Sequence, residues 1–346
     1  MMKIQKMKIW ITVLLCVMVL IVTTGLGTVS IDPSDILSIF AQKIFGVNLP
    51  NSLSANVVSI FWTIRLPRTI AAFIVGSALA VTGTVMQSVL RNPLASSYTL
   101  GVSSGASLGV ALMVIFGMTI PFLGRFSLPM VGFVFGLGTV LLAISMAMQL
   151  DKSLENQTII LIGMVLSLFV SSLLTILIVM SKEHLEQIIF WQMGSFSGIK
   201  WSHVFVLLMI VVPGILFLMY FAQELDIMTF GEEQAISVGI DMRRMKIVLI
   251  TASALLTGTA VAFVGIIGFI DLIAPHVVRK IYGASHRVVV PMSALFGGAF
   301  MALADLVSRT IISPSELPIG AVTTLIGAPF FAYVYFNRRG VTKKNA

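Results

Sequence analysis

Long apolar stretches separated by short polar segments recur along the whole chain. Most of them approach the length of about 20 residues that an α-helix needs to cross the hydrocarbon core of a bilayer. The predicted spans are Ile9–Thr28, Thr69–Leu90, Leu100–Ile120, Leu128–Leu150, Thr158–Met180, Val204–Phe221, Ile247–Ile267, Val288–Leu306 and Ile319–Phe336. Phe269–Ile281 is shorter and contains Pro275, so it predicts a helix that crosses half of the membrane. The pattern predicts an all-α integral membrane protein with about ten transmembrane helices.

Composition extends this prediction to the whole chain. Hydrophobic residues make up 58% of the 346 residues and charged residues only 10%, and the mean hydropathy is +1.04. A soluble domain carries about 25% charged residues, so a chain this apolar could not cover its own surface with polar groups. We therefore expect residues 1–346 to form one transmembrane domain without a separate soluble domain.

The formal net charge of +8 reflects 22 lysines and arginines that lie mostly between the apolar stretches. Cytoplasmic loops of membrane proteins carry an excess of these residues. With about ten crossings and both termini in the cytoplasm, most basic residues fall on the cytoplasmic side, including Lys343 and Lys344. Membrane orientation explains the charge, and no nucleic-acid partner is expected.

Sequence signatures of enzymes are absent. The chain has neither a G-x-x-x-x-G-K-[ST] phosphate-binding loop nor an H-E-x-x-H zinc motif. We expect no catalytic residue, no metal site and no cofactor bound by this chain. Asp271 and Asp305 leave open a membrane-embedded protease, although neither has a second motif beside it.

Two polar features stand out from the apolar pattern. The segment 223–246 is much longer than a connector between helices needs to be, which favours a docking surface for a cytoplasmic partner over a solvated loop. Arg65, Arg68 and Arg309 stand at predicted outer helix ends, where their guanidinium groups suit carboxylates of a partner. The alternative for these arginines is anchoring at the membrane interface.

Ordered motifs extend over nearly the whole chain. They are RLPR at 65–68, G-x-A-L-A-x-x-G-x-x-x-Q at 76–87, RNPLA at 91–95, L-G-x-S-S-G-A at 100–106, WQMGSFSG at 191–198, GEEQAISVG at 231–239, GFIDLIAPHVVR at 268–279, HRVVVP at 286–291, ADLVSR at 304–309 and ELPIGAVTTLIGAPFF at 316–331. In number, order and spacing they resemble the FecCD family, the BtuC-like permeases of ABC importers for iron–siderophores, haem and cobalamin.

The resemblance implies a type II ABC importer permease fold in a bacterial plasma membrane. It implies a second permease subunit, either another copy or a paralogue. It also implies two ATPase subunits that hold ATP and Mg²⁺, and an extracytoplasmic binding protein, either a lipoprotein or a periplasmic protein. Import of an iron–siderophore by alternating access is the leading function. Haem or cobalamin import remains open, and an ATP-independent secondary transporter is the remoter alternative, whose signature would be buried paired charges.

The resemblance also assigns roles to individual residues. Arg65, Arg68 and Arg309 would accept carboxylates of the binding protein. The residues that would couple to the ATPase are Gly231, Glu232, Ala235 and Gly239.

The loop before the fifth helix, with Asn156 and Gln157, would form the inner gate. Asp271 stands where the family usually has glycine. It could contact a cation or a basic cargo group, pair with a basic residue, or lie at a water-facing helix end without a role.

Overall fold

The computed structural model describes residues 2–27, 31–46 and 53–342, with side chains described for 5–27, 31–46 and 53–333. These residues form helices, turns and loops, and no strand. The α-helices are α1 (Met2–Gly25), α2 (Pro33–Phe45), α3 (Ala55–Ser59), α4 (Leu66–Val89), α5 (Val102–Ile115), α6 (Ser127–Leu150), α7 (Asn156–Met180), α8 (Leu185–Met193), α9 (Trp201–Tyr220), α10 (Ala222–Phe230), α11 (Glu232–Ser237), α12 (Met242–Val264), α13 (Ile270–Tyr282), α14 (His286–Thr310) and α15 (Ile319–Thr342).

The helices match the spans expected from the apolar pattern. Within the described residues, 7 helical runs are long and apolar enough to cross a membrane. Two shorter apolar helices, α5 and α15, and the short α13 correspond to the remaining predicted spans. The predicted all-α membrane fold is confirmed. Thr28, Lys343 and Lys344, which belong to the predicted first span and charge bias, lie outside the described residues.

Several predicted boundaries were wrong. The second span does not begin at Thr69, because a continuous helical run extends from Ala55 to Val89. A π-helical turn, Ile60–Arg65, joins α3 to α4 within it. The sequence pattern also missed α2, which packs Ile36 and Ile39 against Val58 and Phe61. The RLPR motif therefore lies inside a covered helix, not at an open helix end.

Helix α4 is the centre of the bundle and is almost completely buried. It packs against α9, α12, α13 and α14. The crossing with α14 depends on two glycines, because a Cβ at Gly76 would lie 2.2 Å from the carbonyl oxygen of Gly297. Small residues of this kind let membrane helices approach closely. Helices α1, α7 and α9 instead expose large apolar side chains, as lipid-facing helices do.

Candidate functional site

Arg68 forms a buried ion-pair network with two carboxylates. Its Nε and Nη2 atoms donate to Asp305 Oδ1 at 2.9 and 2.8 Å, and its Nη1 atom donates to Glu316 Oε1 at 2.6 Å. The side chains of Arg68 and Asp305 are 8% and 1% exposed, whereas that of Glu316 is 35% exposed. The guanidinium fork is thus shared between one buried and one accessible carboxylate.

The two other predicted docking arginines lie in the same arginine cluster, which comprises Arg65, Arg68, Arg309, Asp305 and Glu316. Arg65 Nη1 donates to the carbonyl oxygen of Gly25 at 3.0 Å. Arg309 Nε lies 3.7 Å from Asp305 Oδ2, and its Nη2 atom donates to the carbonyl oxygen of Thr23.

The structure brings the three arginines together, but it does not place them free at a surface as the sequence suggested. Arg65 and Arg68 are only 4% and 7% exposed. The physical reason is that acceptors of the same chain surround them, namely backbone carbonyl oxygens at the C-terminal end of α1 and the carboxylates of Asp305 and Glu316. Docking by these arginines stays a prediction.

The predicted coupling segment folds as two short helices at the other end of α4. Gly231 separates α10 from α11 with φ of 144°, a backbone conformation that favours glycine. Ala235 is fully buried, so it anchors α11 in the bundle and does not face a partner. The exposed apolar side chains of this segment are Phe230, Ile236 and Val238.

The predicted gate residues and two of the four predicted coupling residues, Gly231 and Glu232, line one cleft. Asn156 and Gln157 begin α7, and they face the α10–α11 junction across an open cleft of about 590 Å³. The lining residues are Arg91, Glu155, Asn156, Gln157, Phe230, Gly231, Glu232, Glu233 and Gln234. Gly239 lies outside this cleft, in the turn before α12 with φ of 89°.

The loop that precedes Asn156 is held by a carboxylate. Asp151 accepts hydrogen bonds from Ser153 Oγ, from the Ser153 amide and from the Glu155 amide. The hydroxyl of Ser153, together with the Ser153 and Glu155 amides, lowers the pKa of the Asp151 carboxyl to about 2. Leu154 takes a left-handed backbone conformation with φ of 55°. The turn is compact, and its last residue leads directly into α7.

Lys246, at the start of α12, is fully buried and has two oxygen partners. Its Nζ atom donates to Glu232 Oε1 at 2.7 Å and to the carbonyl oxygen of Leu154 at 2.7 Å. The first partner belongs to α11 and the second to the loop before α7. Sequence analysis missed Lys246 because it read as one of several basic residues that follow the polar segment.

Asp271 is buried near the N-terminal end of α13 and is 3% exposed. Its carboxylate accepts a hydrogen bond from Ser96 Oγ, and its carbonyl oxygen accepts one from Gln87 Nε2 at 3.2 Å. The alternative of a water-facing helix end is therefore wrong. Arg279 donates to Gln87 Oε1 at 2.8 Å. A role of Asp271 in the cargo pathway stays a prediction.

A second polar cluster links α10 to the core. His286 Nδ1 lies 2.6 Å from Asp226 Oδ1, and its Nε2 atom lies 2.6 Å from Ser88 Oγ. Arg279 Nη2 donates to the same hydroxyl at 3.0 Å. No group of three or more His, Cys, Asp or Glu side chains that could hold a metal ion occurs among the described residues.

With this geometry in hand, comparison with known proteins identifies the family. A model of the FecCD transport family matches residues 14–337. This chain belongs to the FecCD transport family. A FecCD protein is a permease subunit of an ABC importer, so the transport class predicted from the sequence motifs is confirmed.

The relatives of this FecCD permease differ in their cargo. The hemin transport system permease protein HmuU of Yersinia pestis is 36% identical over 282 residues, 81% of this chain and 84% of that protein. The vitamin B12 import system permease protein BtuC of Salmonella typhimurium is 36% identical over 287 residues, 82% and 85% of the two chains. A solved structure reported as an inward-facing conformation of a metal-chelate type ABC transporter is 29% identical, with a TM-score of 0.82 over 97% of this chain and 100% of that one. The BtuC-like fold is thereby confirmed.

Proposed function

We propose that this FecCD permease imports an iron–siderophore complex into the cytoplasm by alternating access. It works in the plasma membrane with both termini cytoplasmic, paired with a second permease subunit, either another copy or a paralogue. Two ATPase subunits bind on the cytoplasmic side and hold the ATP and Mg²⁺. A binding protein, either a lipoprotein or a periplasmic protein, delivers the cargo from outside.

The observation that carries the ATPase partner is the shape of the α10–α11 segment. Ala235 is buried in the bundle while Phe230, Ile236 and Val238 are 76%, 60% and 64% exposed. Apolar side chains held on a rigid, polar segment form the centre of many protein–protein interfaces. A cleft on an ATPase subunit would cover these side chains and move the segment when ATP closes the ATPase pair.

Two of the relatives support the choice of an iron chelate. The hemin permease carries an iron chelate, and the structural relative is of the metal-chelate type. Cobalamin, the cargo of the BtuC relatives, is a cobalt chelate of comparable bulk, and haem is the other alternative. All of these cargoes fit the same permease fold, so cargo must be decided by transport.

Docking of the binding protein through Arg65, Arg68 and Arg309 is part of the proposal. Because Asp305 is buried and Glu316 is partly exposed, an incoming carboxylate would exchange with Glu316 on the fork of Arg68. Bidentate arginine–carboxylate pairs are strong enough to make this exchange favourable when the partner supplies additional contacts.

The signature of the secondary-transporter alternative is buried paired charges. Arg68–Asp305 is such a pair, and buried Lys246 pairs with the partly exposed Glu232. Asp305, however, lies in the last turns of α14 and Lys246 near the start of α12, whereas proton or ion coupling sites lie near the middle of the membrane. Stoichiometric co-purification of an ATPase subunit distinguishes the two mechanisms.

Uptake of labelled cargo tests the proposal. Cells with and without this gene are given iron-55 siderophores of several classes, haem and cobalamin, and a plasmid copy restores the gene. Loss of uptake of one siderophore class, with restoration by the plasmid, is the expected result. Loss of haem or cobalamin uptake alone would show that this compound, and not an iron–siderophore, is the cargo. Purification of the permease without any ATPase subunit would overturn the ABC mechanism.

A further inference from the structure

We propose that Lys246 is the positioning residue that transmits movement of the coupling helix α11 to the loop that forms the inner gate. This inference rests on the proposed function, because it assigns a route between two parts of the same transport machinery. It concerns a contact between Lys246, Glu232 and Leu154.

The ammonium group of Lys246 lies between two acceptors. It lies 2.7 Å from both a carboxylate oxygen of Glu232 and the carbonyl oxygen of Leu154, and the lysine side chain is 0% exposed. A buried ammonium group needs such partners, because an unpaired charge in the bundle would be strongly unfavourable. Separation of α11 from the loop would therefore leave this charge without one of its two partners.

The loop before α7, which contains Leu154, is held by its own hydrogen bonds. Leu154 is 1% exposed and has a left-handed backbone conformation, which few non-glycine residues adopt without support from their surroundings. Asp151 holds the same turn through the amides of Ser153 and Glu155. Only Glu155 lies between Leu154 and Asn156, and its amide donates to Asp151, so a displacement of the Leu154 carbonyl oxygen would be passed on to Asn156.

Glu232 of α11 and Asn156 of α7 lie on the same cleft. Glu232 is the first residue of α11, immediately after Gly231, whose φ of 144° favours glycine and which separates α10 from α11. Asn156 is the first residue of α7 and lines the same cleft as Glu232. Movement of α11 about Gly231 would widen or narrow this cleft. Because Lys246 binds both Glu232 and the carbonyl oxygen of Leu154, the loop before α7 would move together with α11.

The test measures the ratio of cargo transported to ATP hydrolysed, in the full importer reconstituted with its ATPase and binding protein. The variants are Lys246→Met, which removes the ammonium group but keeps an apolar stem, and Glu232→Gln, which keeps an acceptor oxygen without the charge. Lys8→Met is the matched control, because Lys8 also donates to a carbonyl oxygen of another helix, that of Ile281, but in an exposed position.

We expect Lys246→Met to lower the transport ratio about tenfold, with ATPase co-purification intact, and Glu232→Gln to lower the ratio about threefold. Lys8→Met should leave the ratio unchanged. Hydrogen exchange provides a second measurement, made with and without a non-hydrolysable ATP analogue. In Lys246→Met the analogue should still change the exchange of residues 230–238, but it should no longer change the exchange of residues 151–157.

The outcomes separate this inference from the proposed function. A transport ratio equal to that of the wild type in both variants, or a response of residues 151–157 that survives in Lys246→Met, would overturn the role of Lys246 alone. Failure of the wild-type chain to assemble with an ATPase would overturn the proposed function and this inference together. Should Lys246→Met not accumulate, Glu232→Gln decides the question, and an unchanged ratio there would refute the coupling.

Discussion

Substitution of Asp305 by asparagine tests whether the arginine cluster is held together by buried charge. The change keeps the volume of the side chain and one acceptor oxygen but removes the negative charge. Arg68 then keeps Glu316 as its only carboxylate partner, and Arg309 loses the carboxylate at 3.7 Å. Two largely buried guanidinium groups are thus left with one partly exposed carboxylate.

The size of the effect follows from the burial of the pair. Removal of one partner of a buried ion pair costs about 3–5 kcal/mol, because the other charge stays in the protein without compensation. We expect about 3 kcal/mol for Asp305→Asn, at the lower end of that range, since Glu316 still accepts from Arg68. A loss of this size corresponds to a decrease in the melting temperature of at least about 4 °C.

The assay is thermal unfolding of the purified chain in detergent or nanodiscs, followed at a fixed heating rate because membrane proteins rarely refold after heating. Arg244→Gln is the control. The Arg244–Asp241 pair has a similar N–O distance of 3.1 Å, but its side chains are 87% and 55% exposed. Exposed pairs contribute about 0–1 kcal/mol, so this control should melt close to the wild type.

A double substitution sharpens the measurement. Arg68→Met combined with Asp305→Leu replaces the pair by apolar side chains, which is often neutral compared with the loss of one partner. The double variant should therefore be less destabilised than the sum of the two single variants. The reasoning is refuted if Asp305→Asn melts within about 1 °C of both the wild type and Arg244→Gln.

Four further predictions follow from the packing and hydrogen bonds. Gly83→Ala should lower the melting temperature by several degrees, because the new Cβ would lie 1.9 Å from a backbone oxygen of α13. Gly258→Ala is the control and should not lower it, because the nearest neighbour of its Cβ would be 3.6 Å away. Equal melting temperatures of the two variants would contradict the close approach at Gly83. Ser96→Ala removes the hydroxyl donor to the buried carboxylate of α13, and thermal unfolding should show a cost of about 1–3 kcal/mol. Because the pKa of Asp151 is lowered to about 2, its contribution to the stability of the loop should be complete above its ordinary pKa near 3.8 and be lost as pH falls towards 2. Hydrogen exchange of residues 153–155 should report this pH dependence, and Asp151→Asn should abolish it. Glu316→Gln should raise the affinity of the docked binding protein several-fold in surface plasmon resonance, and an unchanged affinity would count against exchange at this carboxylate.

The sequence predicts the helices well because bilayer thickness sets their length. Apolar runs of about 20 residues can hardly be anything else, and even the short α13 was placed within one residue at each end. Helix α2 was missed because its length of 13 residues and its mixed composition carry no membrane signal. The same holds for α8, which has only 9 residues.

The candidate site was predicted in part, for a different physical reason. Motifs identified the arginines and the coupling segment, but their contacts join residues far apart in sequence. Arg68 and Asp305 are separated by 237 positions, and Lys246 and Leu154 by 92. No periodicity or local spacing connects such pairs, so a single sequence shows each charge without its partner.

The missing information is which helices are neighbours, and here the membrane itself limits what hydrophobicity can say. Lipid tails are as apolar as leucine, so burial of apolar surface does not choose one helix pair over another. Close approach of small residues and polar bonds must make that choice. For α4 and α14 both are present, since Gly76 contacts Gly297 and Arg68 binds Asp305 on the same pair of helices. Two independent contacts along one crossing fix its register as well as its position, so substitutions at either contact should shift α4 against α14 and disturb both ends of the bundle.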